Sequence, residues 1–111
     1  MPTRSAALTV QTPVTMTLAN TEYSFVLPVN TVRWGMKSRG GNAFRFATVT
    51  GKVATPTDPY VTVAAGQIFN SAELEPLAPG DGLAGQTIYV GTDTAGDVIE
   101  VWTYLHADNT Y

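Results

Sequence analysis

A chain of 111 residues fits one domain around one core, and 44% apolar against 14% charged residues is a composition suited to life against a partner. It contains no cysteine, which excludes disulfides and thiolate metal sites. No run of about 20 apolar residues spans a bilayer and the opening MPTRSAALTV lacks a signal peptide's apolar stretch, so the expectation is a soluble protein that is not exported by the general secretory route.

The net charge of −3 conceals a division: six cations and one acid in the first 57 residues give +5, and the eight acids that follow give −8. Two accounts stand open. Strands from the two halves bring opposite charges together, or separate basic and acidic patches dock against neighbours.

Residues 1–13 show no sustained alternation and read as an extended arm, with a short strand possible near Leu8 and Val10. The sandwich domain is expected over 14–111. VTMTL is its first strand, with Val14, Met16 and Leu18 on one face. EYSFVLP follows, with Tyr23, Phe25 and Leu27 together, and Pro28 ends it because proline donates nothing to a ladder.

TVRWGMKSR puts Val32, Trp34 and Met36 on one side and Arg33, Lys37 and Arg39 on the other. AFRFATV sets Phe44 and Phe46 opposite Arg45. Between the two, Gly40-Gly41-Asn42 predicts a hairpin, with Gly40 in a backbone conformation that a valine would resist. A phosphate loop would need a helix after these glycines, and AFRFATV has strand period instead.

Thr50–Pro59 reads as a loop, and YVTVAAG as a strand. QIFNSAELEPLAPGDGL is short and broken, its prolines and glycines excluding a long helix. TIYVG and VIEVWTYL close the chain on either side of the turn TDTAGD. Seven or eight strands and no helix period describe an all-β protein, a single antiparallel β-sandwich of jelly-roll type. The connections before Tyr60 and Thr87 are long enough to cross between sheets.

Reactive chemistry finds little footing. His106 stands alone near the end of the chain, which suits no nucleophile triad. Glu73 and Glu75 fall in an irregular stretch rather than across a cleft. Asp93 and Asp97 lack the ligand spacing of a calcium loop, and they read, like Asp81, as turn residues. Trp34, Phe44 and Phe46 lie opposite the cations, and the pI near 4.8 opposes nucleic-acid binding. No catalytic, cofactor or metal site is expected.

In VIEVWTYL the side of Ile99 and Val101 competes for the core with the side of Trp102 and Tyr104. If the first is internal, Trp102 and Tyr104 are interface anchors. Otherwise the strand is central and covered on both sides. Arg33, Lys37 and Arg39 complete the candidate interface set.

WGMKSRGGNAFRFA and LEPLAPGDGLAGQTIYVGTDTAGDVIEVWTYL together resemble, over roughly residues 14–105, small virion proteins of tailed double-stranded DNA phages. The shared order is an aromatic strand with an Arg-Gly turn, a Pro-Gly-Asp loop, a Tyr-Val strand, an Ala-Gly turn and a closing Val-rich strand. The resemblance implies a non-enzymatic capsid decoration protein that cements or staples the shell, made in the host cytoplasm and carried on the virion surface. Its implied partners are the major capsid protein and further copies of itself, as dimer or trimer, with no nucleic acid and no membrane. Two alternatives remain: a head-fibre, tail or adaptor component, and a carbohydrate-binding module stacking sugars on Trp102 and Tyr104.

Overall fold

The computed structural model describes residues 6–28, 31–71 and 86–106, and none of these is helical. The described residues form nine strands: β1 (Ala6–Val10), β2 (Val14–Met16), β3 (Tyr23–Val26), β4 (Thr31–Ser38), β5 (Phe44–Ala47), β6 (Val61–Val63), β7 (Ile68–Asn70), β8 (Thr87–Gly91) and β9 (Asp97–His106). All pairings are antiparallel and form two sheets. Sheet I runs β1-β9-β4-β7, with β2 also on β9, and sheet II runs β3-β8-β5-β6. The count exceeds the expected seven or eight because β7 is only three residues long, too short to show a period in sequence.

Between the sheets, Met16, Trp34, Met36, Ile99 and Val101 of sheet I meet Phe44, Phe46, Val63, Ile88 and Val90 of sheet II. Four rings join the layers: Trp34 stands edge-on to Phe25 and Phe46, each with centroids 6.0 Å away, and Phe69 packs tilted against Trp34 at 4.9 Å and Phe46 at 4.6 Å. Burying a side chain of this size contributes roughly 1.5–3 kcal/mol. The inward set on each strand follows the period-2 pattern of its sequence, so the core is the one that alternation specifies.

Two connections correct the expected path. Gly40–Asn42 is a turn but no hairpin, because the chain leaves sheet I at Ser38 and enters sheet II at Phe44. Gly41, not Gly40, has positive φ, at 77°. Its N–H donates to Ser38 O at 3.2 Å, and the Asn42 N–H donates to Ser38 Oγ at 2.9 Å. Two strands facing each other across a core show the same alternation as two strands side by side, which is why the pattern could not tell a corner from a hairpin.

The connection before Tyr60 stays within sheet II, joining β5 to its neighbour β6. Residues 48–60 fold back over the outer side of that sheet, burying Val53 against Gly91. The connection before Thr87 does pass from sheet I to sheet II.

The short strand near Leu8 and Val10 is present as β1, where Ala6–Val10 pairs with β9 at the edge of sheet I. Val10 lies opposite Trp102 and Val14 opposite Ile99, so three residues, Gln11 to Pro13, stand against two of β9. This is a β-bulge, placed where a proline without an N–H is tolerated. Residues 1–5 of the arm lie outside the described residues.

Candidate docking face

The outer side of sheet I gathers the five candidate residues. β4 turns Arg33 and Lys37 outward on either side of Gly35, Arg39 follows at its end, and β9 turns Trp102 and Tyr104 outward. Register aligns Arg33 with Tyr104, Gly35 with Trp102 and Lys37 with Glu100. β9 is central within its sheet, flanked by β1 and β2 on one side and β4 on the other, yet its Trp102 and Tyr104 remain half-buried rather than covered.

Trp102 lies flat across the neighbouring strand. A Cβ on Gly35 would come within 2.5–2.6 Å of Cε2, Cζ2 and Nε1 of the indole, three atoms at nearly one distance, so the Gly35 Cα sits beneath the ring's face. Glycine inside a strand is a sequence signal for such close approach. Beside it the Arg33 guanidinium stacks 4.0 Å from the Tyr104 ring centroid, an arrangement worth about 0.5–1 kcal/mol at an exposed site.

Glu100 accepts from Arg39 Nε at 3.0 Å and lies 3.7 Å from Lys37 Nζ. Surface pairs like these contribute about 0–1 kcal/mol each. They and the Arg45–Asp93 pair each join a cation of the first half to an acid of the second, the cross-strand account of the charge division.

Leu8 and Val10 were not among the candidates, although they widen the face. They stand opposite Tyr104 and Trp102 and are 57% and 77% exposed. At the other edge, Ile68 stands opposite Lys37. A contiguous patch of aromatic, aliphatic and cationic side chains therefore spans the sheet.

The remaining acidic and aromatic candidates go elsewhere. Asp97 is buried and accepts from Ser38 Oγ at 2.6 Å, Val98 N–H at 2.8 Å and Gly40 N–H at 3.3 Å. Asp93 accepts instead from Arg45 Nη1 at 2.9 Å, and no group of three or more His, Cys, Asp or Glu side chains gathers among the described residues. A depression of about 270 Å³ beside Asp97 is lined by Arg39, Gly40, Asn42 and residues 94–98, and its carboxylate is already engaged three times. Trp34, Phe44 and Phe46 are core residues and offer no stacking platform. Glu73, Glu75, Asp81 and the His106 side chain lie outside the described residues.

Replacing Gly35 with Ala should push the indole off the sheet. The expected readout is stronger acrylamide quenching of Trp102 fluorescence, with buried Trp34 unaffected. Unchanged quenching would mean that the ring does not rest on this strand. Comparison with protein-family models, curated proteins and solved structures finds no match to this chain.

Proposed function

We propose that this chain is a non-catalytic virion protein that decorates and staples a tailed-phage capsid, docking on the shell through the outer face of sheet I. The observation that carries the reading is the gathering of Arg33, Lys37, Arg39, Trp102 and Tyr104 on one open sheet face. Stapling requires complementary area rather than reactive groups, and a patch with half-desolvated aromatic anchors among cations has the makeup of an interface centre. The strand order adds support: with β1 and β2 taken as one interrupted edge, the chain alternates between sheets at every connection except β5–β6, as in a jelly roll. The major capsid protein is the partner, met by an acidic surface, and several copies around the shell retain a subunit whose single contact is weak.

The test is the composition of particles and the binding of the chain to undecorated shells. The protein should be a stoichiometric component of purified virions, with its copies on the capsid surface in particle images. Trp102→Ala should weaken shell binding by about 30-fold, as loss of a central aromatic anchor worth about 2 kcal/mol would. Raising ionic strength from 0.05 to about 0.5 M should weaken it further. Absence from the particles, or binding indifferent to Trp102→Ala and to salt, would overturn the reading. Images placing the chain on a fibre, tail or neck would move it to the other virion role.

The ring lying flat over Gly35 favours one second reading, a sugar-stacking platform, because a flat aromatic face is what pyranose rings pack on. Glycan binding that disappears with Trp102→Ala would establish that role instead.

A further inference from the structure

Among the described residues no strand pairs with the outer side of β1, which at five residues is the longest edge strand of the two sheets. Gln11 donates its N–H to Val101 O at 3.0 Å, so by alternation the backbone groups of Thr9 also face β9, while the N–H and C=O of Leu8 and Val10 point away from the sheet. The same two residues expose their side chains, at 57% and 77%. β1 carries no charge and no proline, the devices that keep edges from pairing. β2 on the same edge is set off by the bulge containing Pro13, β3 is uncharged but one residue shorter, and β6 and β7 are three residues each.

We propose that a second copy of this chain pairs with β1, antiparallel, about a two-fold axis at Thr9, joining the two copies of sheet I into one continuous sheet. The proposal deepens the self-association expected of a stapling protein and rests on that reading only for the use of the dimer. Backbone geometry admits a two-fold at Thr9 or at Leu8, and the side chains choose between them. Centring on Thr9 sets Leu8 opposite the partner's Val10 and Val10 opposite the partner's Leu8, so the outward backbone groups of both residues find partners in about four hydrogen bonds.

Side chains support the same register. Directly opposite residues share a face, so Trp102, Val10, the partner's Leu8 and the partner's Tyr104 form one row, and the two-fold generates its equal. Centring on Leu8 would set each Val10 against Ala6 and leave the longer apolar row incomplete. Charge permits the meeting: each chain is −3 overall, yet the strands that touch are neutral. The two docking faces would then lie side by side on one sheet, which doubles the surface offered to a shell without covering Arg33, Lys37 or Arg39.

Isolated protein tests this without any shell. Sedimentation from about 1 µM to 1 mM should show a reversible monomer–dimer equilibrium, the range suited to a small interface. Val10→Lys should raise the dissociation constant at least tenfold while circular dichroism and the thermal midpoint stay near wild type. Because the chain has no cysteine of its own, single cysteines read the register. A pair facing across the axis has Cα atoms about 4.5 Å apart, within reach of a disulfide, so Thr9→Cys should give a covalent dimer on mild oxidation, far faster than Leu8→Cys or Val10→Cys.

A wild-type chain monomeric throughout that range, or a dimer indifferent to Val10→Lys, would overturn the proposal whether or not the protein binds a shell. So would Leu8→Cys crosslinking in place of Thr9→Cys, which would move the axis. Absence from virions would leave this readout untouched.

Discussion

Replacing Arg45 with Met should cost about 2–4 kcal/mol of folding stability, measured by urea unfolding, and lower the thermal midpoint by about 10 °C or more. Arg45 is on the outer side of sheet II, yet its side chain is only 8% exposed. Its Nε donates to Val53 O, Nη1 to Asp93 Oδ1 at 2.9 Å, and Nη2 to Asn20 Oδ1 and Ala54 O, each at 3.2 Å. One guanidinium thus holds the 18–22 turn, the 48–60 loop and the 92–96 turn against the sheet.

The ion pair is the lesser part of that cost. The Asp93 side chain is 78% exposed, and water would solvate it once the arginine is gone, so Asp93→Asn should change stability by less than about 1 kcal/mol. The carbonyls of Val53 and Ala54 are different, because the loop that carries them seats buried Val53 on Gly91, where even a Cβ would come within 2.8 Å of the Val53 oxygen. Deprived of a donor there, they lose hydrogen bonds to a charged group without easy access to water. Arg45→Lys should recover little, since a single ammonium lacks the fork that reaches four acceptors on three segments. A methionine variant within about 0.5 kcal/mol of wild type would show that the loop is held by its own contacts.

Alternation in the sequence was enough to place most inward side chains, because Tyr23, Phe25, Trp34, Met36, Phe44 and Phe46 each follow period 2 within an unbroken strand. Alternation does not carry across a change of phase. Leu8, Val10, Val14 and Met16 are all even-numbered and look like one face, but the extra residue between Val10 and Val14 sends the first two outward and the last two into the core. Nothing in TVQTPVT marks the bulge except Pro13, which reads equally well as a strand end. Leu18 fails for another reason, since the strand has already stopped at Met16.

The docking face was legible in part for a physical reason. β9 is apolar on both sides, so one of its faces had to be left open or covered by another layer, and β4 placed its cations on a single side. Which strands lie next to each other was not legible, because period 2 reports the side a residue faces and not its neighbour. The covered state of Arg45 was hidden for the same reason: it faces outward as alternation requires, and only the folded-back loop makes that position interior.

Asp97→Ala should destabilise the fold by about 2–3 kcal/mol while leaving the docking face intact below the melting transition. The carboxylate is buried at the start of β9 and satisfies three donors: the Ser38 hydroxyl, the Gly40 N–H and the Val98 N–H. Ser38 Oγ in turn accepts from the Asn42 N–H, so one side chain fixes the end of β4 and the corner by which the chain passes to sheet II. Alanine strands these donors with no replacement acceptor. Asparagine keeps one carbonyl oxygen for the two amides but turns an NH₂ toward Ser38 Oγ, so its cost should be intermediate, about 1 kcal/mol. Trp102→Ala is the complementary case, because it removes an outward ring from the same strand without opening the core, and should weaken docking more than it lowers the midpoint. Thermal denaturation and shell binding measured on both variants decide the matter: if Asp97→Ala at low temperature weakened docking as much as Trp102→Ala, the two faces of β9 would be coupled, and the outer face could not be a rigid platform carried on an independent core.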